Sequence, residues 1–99
     1  MKITLQTPGV EIGQSLLIFI REKVEKLSEM SGPSIEIDVT LKLSRVDIRE
    51  NKICAIRCEI LGKQFFAEKR SATFKHAVVE ALEISKKQII ENCKVISAS

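Results

Sequence analysis

A chain of 99 residues, 44% hydrophobic and 29% charged, has the length for one domain spanning residues 1–99 and is too short for two independent cores. That composition excludes a disordered polymer, and the longest apolar run, Leu16-Leu17-Ile18-Phe19-Ile20, falls far below the ~20 residues of a bilayer span. The net charge of +3 is unevenly placed: residues 1–50 carry seven Lys/Arg against eight Asp/Glu, and residues 51–99 carry nine against five, so the second half is the basic one.

The first stretch, "MKITLQTPG", has neither the long apolar region nor the cleavage site of a signal peptide, and a cytoplasmic location is expected. Within it Ile3 and Leu5 alternate with Lys2, Thr4 and Gln6, the pattern of a half-buried strand. After a turn at "PGV", a helix is predicted from Ser15 or a neighbour to about Met30, stopped by Gly32 and Pro33. Helical periodicity puts Leu16, Leu17, Ile20, Val24 and Leu27 on one face, with Glu22, Glu25 and Glu29 broadly opposite. Lys23 and Lys26 flank the apolar stripe on the Phe19/Met30 side, on a different arc from the glutamates.

"IEIDVTLKL" alternates strictly, sending Ile35, Ile37, Val39, Leu41 and Leu43 one way and Glu36, Asp38, Thr40 and Lys42 the other. "SRVDIRENK" reads as a polar connection, "ICAIRCEI" as a third strand and "QFFAEKR" as a fourth, joined at Gly62-Lys63. A last helix runs from about Ser71 or Thr73 to near Cys93, with Phe74, Ala77, Val78, Ala81, Leu82, Ser85 and Ile89 on its core side. The order β-α-β-β-β-α, with one apolar face per element, predicts an α+β fold: one four-stranded sheet with both helices packed on one face, similar to a double-stranded-RNA-binding domain.

Chemistry is sparse. The sequence has no glycine-rich phosphate loop, serine elbow or His/Glu metal pair at helical spacing, and its isolated carboxylates mark solvated faces. Cys54 and Cys58 share a strand face with Ile56 and Ile60 and read as reduced core residues; with His76 as the sole histidine, neither a metal site nor a Cys/His nucleophile is assembled. The expectation is a binding protein, not an enzyme, without cofactor, metal, small-molecule substrate or membrane partner. With four Phe and no Trp or Tyr, base stacking is not indicated, and what remains is phosphate contact from Lys and Arg on rigid elements.

"VEIGQSLLIFIREKVEKL", "VTLKLSR", "FFAE", and "TFKHAVVEAL" followed by "KKQI" together resemble, in order and spacing, the ribosome hibernation promoting factors and ribosome-associated inhibitors, also known as sigma-54 modulation proteins. Members share the β-α-β-β-β-α fold and occupy the mRNA/tRNA channel of the small ribosomal subunit, blocking translation in dormant ribosomes. The resemblance implies the small subunit and its rRNA as partners, with Lys23, Lys26, Lys42, Arg45, Lys86 and Lys87 at basic positions that face RNA. A reading of another class, a protein-interaction or regulatory module without RNA binding, rests on Val79 and Ile90, which fall away from the core side of the last helix.

Overall fold

Three of the four strands owe their place to period-two alternation and the helices to a single apolar stripe each. A computed structural model describes residues 2–32, 34–46 and 48–92. It contains β1 (Lys2–Gln6), α1 (Gln14–Ser31), β2 (Ile35–Leu43), β3 (Lys52–Ile60), β4 (Lys63–Ser71) and α2 (Phe74–Asn92). The strands form one mixed sheet in the order β1-β2-β3-β4, with β1 parallel to β2 and the remaining pairs antiparallel. A parallel pair cannot close through a hairpin, and α1 provides the crossover. Both helices therefore start at the sheet end where β2 and β4 finish and run side by side in the same direction.

The covered face of the sheet carries Ile35, Ile37, Val39 and Leu41 from β2 and Cys54, Ile56, Cys58 and Ile60 from β3, all buried. Against it α1 places Ile20, Val24 and Leu27, and α2 places Ala77, Val78, Ala81, Leu82 and Ile89. Small residues at Ala77, Ala81 and Ser85, one helical turn apart, let α2 lie close to the strands. Leu16, Leu17 and Phe74 are only half-buried at the margins. Leu43, grouped by alternation with the core residues, is 46% exposed at the end of β2, beside a β2–β3 loop where Val46 and Ile48 are more than nine-tenths exposed. That connection is thus less polar at its surface than its charges suggest.

The helix ends follow from local chemistry. Gly32, at φ 94°, ends α1 with its N–H on the Ser28 carbonyl. The Thr73 hydroxyl caps α2 by accepting from the His76 N–H at 3.2 Å. The β3–β4 turn falls at Leu61-Gly62, one residue before the expected Gly62-Lys63, because Ile60 pairs with Lys63. Both turn residues have positive φ, 50° at Leu61 and 83° at Gly62, as a two-residue primed turn demands. Leucine there opposes its own side-chain sterics while exposing its apolar surface. Leu61→Asn is expected to raise stability by about 1 kcal/mol in urea denaturation, since asparagine tolerates this conformation.

Cys54 and Cys58 lie on the covered face of β3 as expected, while Cys93 is outside the described residues. Burial pushes the Cys54 thiol from 9.0 up to about 12. The Cys58 thiol rises to about 11, again through burial, offset in part by a hydrogen bond with Ser85 and reinforced by the Asp38 charge. Neutral thiols are favoured in the folded state, so their contribution to stability is complete below the ordinary pKa of 9.0 and is lost as pH climbs toward 11 and 12. In a Cys93→Ser background, both thiols should react with a thiol reagent at least 100-fold more slowly in the native protein than in denaturant, the reactive thiolate being both rare and covered.

Candidate nucleic-acid interface

Where α1 and α2 lie side by side, two stripes of identical spacing face each other. On α1 these are Phe19, Lys23, Lys26 and Met30; on α2 they are Lys75, Val79, Leu82 and Lys86. Steps of four, three and four residues keep each set on one side of its helix. At the start of the seam, Lys75 Nζ lies 4.8 Å and Lys23 Nζ 5.6 Å from the centre of the Phe19 ring. The face of that ring draws two like charges together, an effect worth roughly 0.5–1 kcal/mol per cation at exposed sites.

Farther along, a groove of about 450 Å³ lies between the helices, lined by Lys23, Lys26, Leu27 and Met30 from α1 and Val79, Leu82, Glu83 and Lys86 from α2. The lysines are exposed, whereas Leu27 and Leu82 close the floor. A basic rim thus stands on both walls above an apolar base. The carboxylate of Glu83 forms no ion pair among the described residues.

The remaining expected contacts sit elsewhere. Lys87 is exposed but does not line the groove. Arg45 is exposed in the β2–β3 loop. Lys42 stands on the uncovered face of the sheet with its Nζ 3.5 Å from Glu68 Oε2, an ion pair that reaches across β3. Lys75, whose contact with Phe19 ties the two helices, was not among the residues singled out from the sequence; its spacing of four, seven and eleven from Val79, Leu82 and Lys86 is the signal that places it on this seam.

The uncovered face has a different character. Lys2, Glu36, Asp38, Arg57, Glu59 and Gln64 line a shallow depression there, and the Thr4 hydroxyl donates to Asp38. Three carboxylates against two cations repel phosphate. Phe66, paired with Arg57 across the sheet, is 54% exposed on this side, while Phe65 points to the core.

One cluster has the composition of a catalytic relay without its geometry. Ser71 Oγ lies 2.9 Å from His76 Nδ1, and Glu80 Oε1 lies 3.3 Å from the same nitrogen. A relay needs nucleophile and carboxylate on opposite ring nitrogens. Sharing Nδ1, the two instead fix the imidazole over the first turn of α2. Among the described residues, no group of three or more His, Cys, Asp or Glu side chains is placed to hold a metal ion, and no helix is long and apolar enough to cross a membrane.

Residues 3–94 match the family model of the sigma 54 modulation protein / S30EA ribosomal protein. The chain belongs to this family. Among solved structures, a ribosomal subunit interface protein from Coxiella burnetii superimposes with a TM-score of 0.79 at 17% identity, covering 95% of this chain and 99% of that one. The N-terminal domain of Thermus thermophilus Protein Y gives a TM-score of 0.74 at 19% identity, covering 90% of this chain and 96% of that one. No curated protein matches the chain in sequence. At these identities the two structures establish the shared fold, β-α-β-β-β-α, which the sigma 54 modulation family member described here adopts over nearly its full length.

Proposed function

We propose that this protein is a ribosome-associated translation inhibitor of the hibernation type, one that docks on small-subunit rRNA in the mRNA/tRNA channel through the α1–α2 seam. Family membership supports the ribosome as partner, and the Coxiella protein of the same fold is described as a subunit interface protein. The observation that carries the reading is the disposition of lysines: Lys23 and Lys26 on one wall and Lys86 on the other, with Lys75 at the start of the seam. Ammonium groups fixed on two packed helices straddle a phosphate backbone without reading its bases, as suits folded RNA recognised by shape.

Lys87 and Arg45 extend the basic surface as outer contacts. Lys42 contributes least, because its ion pair with Glu68 has to open before it meets phosphate. The single domain acts by occlusion in the cytoplasm and uses neither nucleotide nor metal. Purified small subunits sedimented through sucrose with the protein test the reading: co-migration, together with inhibition of a purified translation system lacking any other added factor, is the expected result. A protein that stays at the top of the gradient at low salt removes the proposal.

A further inference from the structure

Phosphate contact requires a basic rim but not an apolar floor, and the α1–α2 groove has both. Resting on the ribosome reading above, we infer that this groove receives one unpaired, amino-bearing rRNA base turned out of its helix, over the floor of Leu27 and Leu82 and flanked by Met30 and Val79. The flanking phosphates meet Lys23 and Lys26 on one side and Lys86 on the other.

Two features select this occupant. Volume is the first: about 450 Å³ falls within the ~300–1,000 Å³ range of small-molecule clefts, ample for a single base and its sugar. The second is Glu83, an acid on the lining of an otherwise basic groove. For a base it supplies an acceptor for an exocyclic amino group, as carboxylates do toward cytosine N4. Adenine N6 and guanine N2 offer the same kind of donor, and uracil offers none.

Met30 is 42% exposed, so its side chain is available for contact and its replacement does not open the core. Val79 is half-buried and has an isosteric polar counterpart in threonine. These residues hold a base through apolar contact, a contribution that salt does not screen, whereas the lysines contribute through counterion release, which salt does. The two parts of the binding free energy are therefore separable by experiment.

The test measures binding of the full chain to purified small subunits across a salt titration, alongside dimethyl sulfate and kethoxal probing of the rRNA. Met30→Gln with Val79→Thr should lower affinity about tenfold at every salt concentration, leaving the log–log slope unchanged. One unpaired adenine, cytosine or guanine protected by the wild type should become reactive. Met30→Gln alone should show the same pattern in weaker form, which keeps the test decisive if the double variant folds poorly. Ile90→Gln, which removes a 43% exposed aliphatic from the same helix outside the groove, should bind as wild type.

Unchanged affinity and base reactivity in the groove variants would overturn the inference and leave a seam that tracks phosphates alone, with the ribosome reading intact. Reduced affinity without any change in base reactivity would assign the groove to a ribosomal protein segment and overturn it equally, as would an equal loss with Ile90→Gln. Failure of the wild type to bind subunits is a different result, which removes the ribosome reading together with this one.

Discussion

Lys26→Glu combined with Lys86→Glu is expected to lower small-subunit affinity by on the order of 100-fold at low salt, the largest functional effect of any pair considered. The two lysines stand on opposite walls of one groove, so reversal replaces two phosphate contacts by two repulsions. Each phosphate contact contributes roughly 0.7–0.9 to the slope of log affinity against log salt, and the double variant should lose about 1.5 units of slope. Glu36→Lys with Asp38→Lys shifts charge by the same amount in the opposite direction, on the uncovered sheet face. If net charge alone governed binding, that variant would bind more tightly and the first pair would act from anywhere on the surface. Location is the claim, so Lys87→Glu, outside the groove, should cost clearly less than Lys86→Glu in the same titration.

The largest effect on stability is expected at Ile56. It sits at the centre of β3, paired with Val39 and Ala67, and is completely buried beneath the helices. Ile56→Ala removes three carbons from a site that strands on both sides prevent from collapsing, and should cost about 2–5 kcal/mol. Domains of this size are stable by only ~5–15 kcal/mol, so the variant should show a large shift of its urea midpoint with little change in the steepness of the transition. A loss below 1 kcal/mol would mean that the sheet and helices are less closely packed than described.

Much of this fold is readable in the residues because burial imposes a period on them. In β2 every second residue from Ile35 to Leu41 is buried, and α2 buries six of its seven expected core-side residues, Phe74 being half-covered. Ser28 falls one turn beyond Val24 on the stripe that Leu16, Leu17, Ile20, Val24 and Leu27 mark, and it is 1% exposed on the inner side of α1 although it adds no apolar signal of its own. Strand alternation carries no information about which neighbour a strand chooses, which is why the parallel pairing of β1 with β2 is visible only in the structure. The β3–β4 turn was displaced by a residue because glycine marks a turn without fixing its register, and cross-strand pairing decides the rest.

The candidate site was legible in part for a related reason. Lys86 and Lys87 look like a pair in the sequence, but neighbours on a helix point about 100° apart, so one enters the groove and the other faces solvent. Helical spacing set Lys23 and Lys26 apart from the glutamates of α1 without identifying the element opposite them. Lys75 gains its place only when α2 is docked and its ammonium reaches the Phe19 ring. Lys42 has an ionic partner two strands away, Glu68, that no linear reading of β2 contains.

Hydroxyl-radical cleavage of rRNA from an iron chelate tethered to a single cysteine tests most directly whether the helix seam faces RNA. In a Cys93→Ser background the native Cys54 and Cys58 are buried, which leaves an introduced surface thiol as the site of attachment. A chelate at Glu29→Cys, on the exposed outer arc of α1 flanking the seam, should cut small-subunit rRNA at a compact set of positions in the mRNA/tRNA channel. One at Glu36→Cys, on the uncovered sheet face, should cut weakly or elsewhere. Strong channel cleavage from position 36 and none from position 29, with both proteins bound to the subunit, would contradict the assignment of the α1–α2 seam as the RNA-facing surface.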